Sequence, residues 1–185
     1  MCKLVGLYSS KPQSGKSKVA EICAAAGWHI EPFAATLKEM LTPFLLAYTH
    51  QDEDIVRRML YEDLKEELIP ELNTTTRKLL QTLGTDWGRE TVHSEVWIRA
   101  WRHKVEHAWS TGRTVIVDDM RFPNEFDAIK SMGGETWLIC RNSHAKTHNH
   151  ASEGSLDNHT DKFDQVIVNN SSLDDLKQKI DNLIK

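Results

Sequence analysis

Five short apolar runs recur along the chain, at about residues 3–8, 28–31, 114–118, 136–140 and 165–168. Each is too short for a buried helix and rich enough in Val, Ile, Leu and Tyr to read as a strand. Between them the apolar positions change to helical spacing. Val19 to Ala26 follows the first run, and Phe33 to Leu41 opens a second helix, with Pro43 as a point of kink or restart. In 52–68, Ile55, Met59, Leu60, Leu64 and Leu68 recur at helical intervals. A helix is expected over 77–83, interrupted by Gly84, with 85–89 as a turn or second helical start. In the next helix Trp97, Ile98, Trp101, Val105, Ala108 and Trp109 line one face, and the last helix spans 173–184.

Capping residues agree with these bounds. Gly27 and Gly112 stand where helices stop, Pro70 lies beyond the charged helix, and Asn73 to Thr76 offer capping side chains. Ser94 and Ser171–Ser172 introduce helices, and Pro123 sits where a first turn accepts it. Strands alternating with helices predict an α/β fold, a doubly wound five-stranded parallel sheet. A single domain is expected: a core of about 1–33 and 113–185, and a helical insertion of about 34–112 that binds substrate. The polar stretch of about 141–162 is too long for a simple connector and reads as a lid. Trp101 and Trp109 are expected in the core, whereas the Trp97 face is open to either burial or an interface.

Composition narrows the class. At 185 residues, the chain carries a formal net charge of −4, which argues against a nucleic-acid polymer as the main ligand, since that usually needs a basic face. Cys2, Cys23 and Cys140 are odd in number and widely spaced, which suits free thiols in a cytoplasm. No apolar run approaches the roughly 20 residues of a membrane span, so a soluble, cytoplasmic protein is expected.

The most distinctive chemistry lies between the first strand and first helix, in Ser10-Lys11-Pro12-Gln13-Ser14-Gly15-Lys16-Ser17. A polar loop ending in Gly-Lys-Ser before a helix is the pattern of a phosphate-binding loop. Its backbone N–H groups cradle phosphate oxygens, with Lys16 on the β- and γ-phosphates and Ser17 on magnesium. Gln13, Ser14, Gly15, Lys16, Ser17 and Lys18 are therefore the expected ATP contacts, joined by Arg141 from the start of the lid. Ser10 occupies the position of the motif's first glycine, so the start of the loop is expected to bend differently.

Asp118 and Asp119 end the third strand, where a carboxylate orients magnesium through water; Asp119 is preferred because it begins the more specific motif. Arg121 lies two residues on, placed to neutralise a transferring phosphoryl group. Arg77 and Arg89 flank a stretch offering amide, hydroxyl and indole groups for a base and sugar. His144, His148 and His150 lack cysteine partners and have only Glu153 nearby, so a zinc site is not favoured.

Several of these pieces together resemble the bacteriophage deoxynucleoside monophosphate kinases, a branch of the P-loop nucleotide kinases. They are Ser14 to Ser17, Phe33-Ala34 with Leu37-Lys38, the run from Arg77 through Leu79-Leu80-Gln81-Thr82-Leu83-Gly84-Thr85 to Arg89, Asp119-Met120-Arg121-Phe122-Pro123-Asn124-Glu125, and His150 to Glu153. They occur in the family's order across nearly the whole chain. The resemblance implies ATP- and magnesium-dependent phosphorylation of a deoxynucleoside monophosphate to the diphosphate, supplying phage DNA synthesis. It carries Lys16 and Ser17 over as phosphate and magnesium ligands. Lys38, Arg77, Gln81, Gly84, Thr85, Trp87, Arg89 and Arg121 carry over as the monophosphate pocket and transition-state clamp. Lys16, Arg121 and Asp119 would be the catalytic group. Ala35-Thr36 depart from the family's frequent Asp-Pro, which removes an acidic contact at that helix start. Two alternatives stay open: a kinase of this fold with another small-molecule acceptor, and an ATP-binding sensor without transfer. ATP and the monophosphate are the expected partners, without membrane or nucleic acid, and a homodimer is left open.

Overall fold

In the computed structural model, residues 2–11, 13–141, 156 and 161–185 are described. The expected lid therefore lies largely outside the described residues, together with His144, His148, His150 and Glu153. The chain divides into two compact units, Met1–Phe33 with Arg102–Lys185, and Ala34–Trp101.

The first unit is built on a five-stranded sheet in the order β2-β5-β1-β6-β7, comprising β1 (Leu4–Tyr8), β2 (His29–Ile30), β5 (Val115–Val117), β6 (Glu135–Cys140) and β7 (Gln165–Val168). Every pairing is parallel, with Val5 opposite Ile116 on one side of β1 and Leu7 opposite Trp137 on the other. All five residues of β1 are buried. A strand covered on both faces must read as a continuous apolar run, which is why Leu4 to Tyr8 does not alternate. Around it pack α1 (Lys16–Ala25), α6 (Pro123–Ser131), α7 (Leu173–Ile184) and the latter half of α5 (Val96–Ser110). Val5, Leu7, Val19, Cys23, Ile116, Trp137, Ile139, Leu176 and Ile180 form one core. The parallel α/β architecture thus agrees with the apolar pattern.

The second unit holds α2 (Ala35–Thr49), α3 (Glu53–Tyr61), α4 (Thr76–Thr82) and a π-helical segment, Leu83–Val92, that continues α4. Its smaller core joins Leu41, Leu45, Val56, Met59, Leu60 and Ile69. Three local expectations change here. The charged helix stops at Tyr61 instead of reaching Leu68, because Glu62 leaves helical geometry (φ −127°, ψ −134°) and Arg58 turns to Asp63 at 2.6 Å. The acidic run that follows forms only a single 3-10 turn, Asp63–Glu66, with no buried residue to extend it, and Glu67 returns to extended backbone. Leu68–Ile69 (β3) instead pairs antiparallel with Thr74–Thr75 (β4), closed by Asn73 at φ 47°. Finally, α2 runs unbroken through Pro43, an exposed position, and Gly84 widens its helix instead of ending it.

Candidate active site

Because the main strands run parallel, their carboxyl ends share one edge of the first unit, the usual ligand edge of such sheets. Each strand delivers something there: the loop of residues 9–15 after β1, Phe33 after β2, Asp118, Asp119 and Arg121 after β5, Arg141 after β6, and Asn169 after β7.

The loop has the geometry of an anion cradle. Gly15 is the N-cap of α1 at φ 105°, and Gln13 stands at φ 56°, so left-handed residues bracket Ser14. Ser10 is not among the left-handed residues, so this chain places the strained turn at Gln13 and needs no glycine at the loop's start. Three consecutive carbonyls are held. The Asn169 carboxamide (Nδ2) donates to Ser14 O at 2.8 Å, Arg141 Nη1 donates to Gln13 O at 3.4 Å, and Val19 N–H donates to Gly15 O at 2.9 Å. In a trans peptide the N–H points opposite to the C=O, so fixing these carbonyls fixes the direction of the amides between them. Glycine is favoured at residue 15 by its φ, and a Cβ there would lie 2.4 Å from Asn169 Nδ2 and push that carboxamide aside.

This cradle fits a phosphate chain. The Ser14 hydroxyl is buried and has no hydrogen-bond partner among the described residues, a costly state that an oxygen-rich ligand relieves. Lys16 opens α1, half-buried, and Ser17 follows it, exposed. Lys18 instead pairs with Glu21 at 2.5 Å on the exposed side of the helix. Hydroxyl and carboxylate oxygens, from Ser17 and Asp119, are the hard donors magnesium accepts.

Asp119 is positioned from the neighbouring strand: its Oδ1 accepts the Phe33 N–H at 2.8 Å. Asp118, beside it, is half-buried. The Arg121 side chain is exposed, while its backbone is fixed by Glu125, whose Oε2 accepts the N–H groups of Arg121 at 2.7 Å and Phe122 at 3.1 Å. Glu125 is 3% exposed, so the glutamate ending this motif is a buried cap for the start of α6. Burial pushes the Cys140 thiol upward at the end of β6, keeping it uncharged at neutral pH.

Taken by itself, the second unit carries the remaining predicted residues. Arg77, Gln81 and Thr85 recur every four positions along α4 and its π-helical continuation, which gathers them toward one side. Arg77 is ion-paired with Glu66, and Lys38 lies 4.2 Å from the centre of the Tyr61 ring. Trp87 is 42% exposed, an available aromatic face. Arg89 is half-buried. The π-segment is held by Trp97, whose indole N–H donates to the Gly84 carbonyl at 2.8 Å. Gly88 lies beneath the same indole, where a Cβ would come within 2.6 Å. Widened helical turns of this kind concentrate at functional sites. The Trp97 face is thus buried within its own chain, at 5% exposure.

Residue-type reasoning missed Asn169, Glu125 and the Phe33 amide. Asn169 falls in Asn169-Asn170-Ser171-Ser172, which reads as an ordinary cap for α7, and nothing local marks its reach to Ser14.

Known structures share this fold. A dephospho-CoA kinase from Campylobacter jejuni superposes with a TM-score of 0.53 at 16% identity, covering 100% of this chain and 96% of that one. TT1252 from Thermus thermophilus does so with a TM-score of 0.53 at 15% identity. At such identities the likeness shows the fold alone, the parallel α/β sheet with its helices. Residues 8–180 match the profile of the deoxynucleotide monophosphate kinase family. A protein of Acanthamoeba polyphaga mimivirus, provisionally named for the same activity, is 28% identical over 96% of this chain and 93% of its own length. The deoxynucleotide monophosphate kinase of Escherichia phage RB69 is 28% identical over 68% of this chain and 51% of its own, and that of Enterobacteria phage T4 is 30% identical over 60% and 46%. The chain belongs to the deoxynucleotide monophosphate kinase family and is a kinase enzyme.

Proposed function

We propose that this protein transfers the γ-phosphoryl group of ATP to a deoxynucleoside 5′-monophosphate, giving the diphosphate, in support of viral DNA synthesis in a host cytoplasm. The observation that carries the ATP half is the loop: left-handed Gln13 and Gly15, three held carbonyls, and a buried Ser14 hydroxyl with no partner among the described residues. The acceptor half rests on family membership and on the Arg77, Gln81, Thr85 series.

The acceptor phosphate already bears a nucleophilic oxygen, so no strong base is required, and positioning with charge supplies the catalysis. Lys16 holds the phosphate chain at the start of α1. Arg121 neutralises charge that develops on the transferring group, and Arg141 lends a further cation beside the loop. Lys38, Arg77, Gln81, Gly84, Thr85, Trp87 and Arg89 orient the monophosphate, with Trp87 offering a stacking face. Magnesium supplies charge neutralisation across the phosphates when bound, and Ser17 with Asp119 would hold it, Asp118 being the alternative carboxylate.

A coupled ADP-release assay with ATP, magnesium and each deoxynucleoside monophosphate in turn, with ribonucleotides as controls, tests the reading. Turnover with at least one deoxynucleotide is expected. Bound ATP with no turnover across the panel would assign the protein another acceptor, or a sensing role.

A further inference from the structure

We propose that Asn169 is a positioning residue that presets the phosphate loop from the far end of the sheet; this rests on the ATP reading of that loop. Asn169 sits between β7 and α7, about 155 residues from its target, as its separation from Ser14 shows. It is 9% exposed, and its own N–H donates to the Cys140 carbonyl at 2.8 Å, so its backbone is locked to the end of β6. From this anchor the carboxamide donates to Ser14 O and lies directly against the Cα of Gly15.

Three physical consequences follow. The Ser14 carbonyl is kept turned away from the cradle, so the Ser14–Gly15 amide is directed toward it before any ligand arrives. The contact with Gly15 fills the space a side chain would take, which supports a residue that is otherwise the most flexible kind. Finally, the anchor belongs to the same junction as Arg141, so the ends of β6 and β7 together hold two adjacent loop carbonyls. Preorganisation of this kind lowers the ordering cost of binding instead of adding a ligand contact. Asn169 therefore acts through the loop, and its loss should appear in ATP affinity more than in the chemical step.

The test compares Asn169→Ala with Lys179→Ala in the full-length protein. Lys179 donates to the Val168 carbonyl at 2.8 Å and so braces the same junction without reaching the loop. Two measurements are made on each: backbone heteronuclear NOEs of residues 13–17 without ligand, and KM for ATP against kcat. For Asn169→Ala the expected result is lowered order across the loop, with KM for ATP raised about tenfold, the effect of one lost hydrogen bond to a buried group, and kcat changed less than about threefold. Lys179→Ala should change neither. Unchanged loop order in Asn169→Ala overturns the proposal whatever happens to KM, because any kinetic effect would then be a direct contact. Lowered order with unchanged KM overturns it as well, as does a Lys179→Ala variant that reproduces both effects. If the wild type itself binds no ATP, the ATP reading fails, a result distinct from all of these.

Discussion

Under the proposed function, the phosphate loop and the Leu79-to-Arg89 stretch would recognise their ligands in opposite ways. In the loop the working parts are backbone groups, held by the buried Asn169 on one carbonyl and the exposed Arg141 on the next, with a glycine where an added Cβ would displace the Asn169 carboxamide. In the second unit the working parts are side chains on a widened helix, and one indole, Trp97, holds the backbone. Its candidate cations are engaged elsewhere, Arg77 by Glu66 and Lys38 over Tyr61. The difference matches the proposed ligands. A triphosphate chain is the same on every ATP and suits a fixed cradle, whereas a monophosphate with variable base suits side chains that change partners. In this proposal the backbone site is preset, whereas the side-chain site would exchange its ion pair for the ligand.

Removing the loop's lysine should break this arrangement most severely. Lys16→Met is expected to lower kcat at least about 100-fold while leaving the thermal unfolding midpoint nearly unchanged, since Lys16 is only half-buried at a helix start. Circular dichroism beside the ADP-release assay checks both halves, and an active variant would sink the loop assignment.

Two glycine substitutions then separate the regions. Gly15→Ala meets Asn169 at 2.4 Å with φ already at 105°, so it should destroy ATP binding first. Gly88→Ala meets the Trp97 ring at 2.6 Å and should displace the indole from Gly84. Overpacking of this kind costs roughly 1–3 kcal/mol, and here it should raise KM for the monophosphate while KM for ATP stays within about twofold. Equal effects on both substrates from Gly88→Ala would show that the two regions are not separable. A gentler version is Trp97→Phe, which keeps the aromatic packing and removes the indole hydrogen bond. About 1 kcal/mol of stability and a smaller rise in monophosphate KM are expected, read by urea denaturation and initial rates.

Much of the first unit was legible in the chain. Short apolar runs bounded by glycine and capping residues identify buried parallel strands, because such strands must be apolar on both faces. Gly-Lys-Ser after the first of them placed the loop. Legibility fell where geometry depends on distant residues. The indole that holds the Gly84 carbonyl of the π-helical segment comes from Trp97, and Gly84 by itself reads as a breaker. The hairpin of β3 and β4 has only two residues a side, below what periodicity resolves. Asn169 resembles any helix cap until its carboxamide is seen on Ser14. Glu125 stands out as part of a motif, yet only the structure shows that it is a buried cap for backbone amides.

The smallest expected effect concerns the opposite edge of the first unit. Asp164 precedes β7 and accepts from Lys130 Nζ at 2.8 Å, and from Thr136 through both N–H (2.7 Å) and hydroxyl (3.0 Å) near the start of β6. Burial opposes its ionisation, but the hydrogen bonds from Lys130 and Thr136 outweigh it and hold the carboxyl below the usual range. A carboxyl lowered on folding stabilises the protein above its unfolded pKa of about 3.9, and that stability is lost as pH falls through the lower folded value. With Lys130 and Asp164 side chains 38% and 32% exposed, solvent screening limits the ion pair, and about 1 kcal/mol overall is a reasonable scale. Asp164→Asn should therefore lower stability at pH 7 by about that amount and flatten its decline below about pH 4. Both Michaelis constants should remain at wild-type values, because this network ties β6 to β7 at their amino ends, away from Asn169 and Arg141 at the carboxyl ends. Urea titrations at several pH values, with rates at pH 7, decide it. A shift in KM for ATP would show that the two ends of these strands communicate, and that the loop's setting depends on the whole length of the sheet.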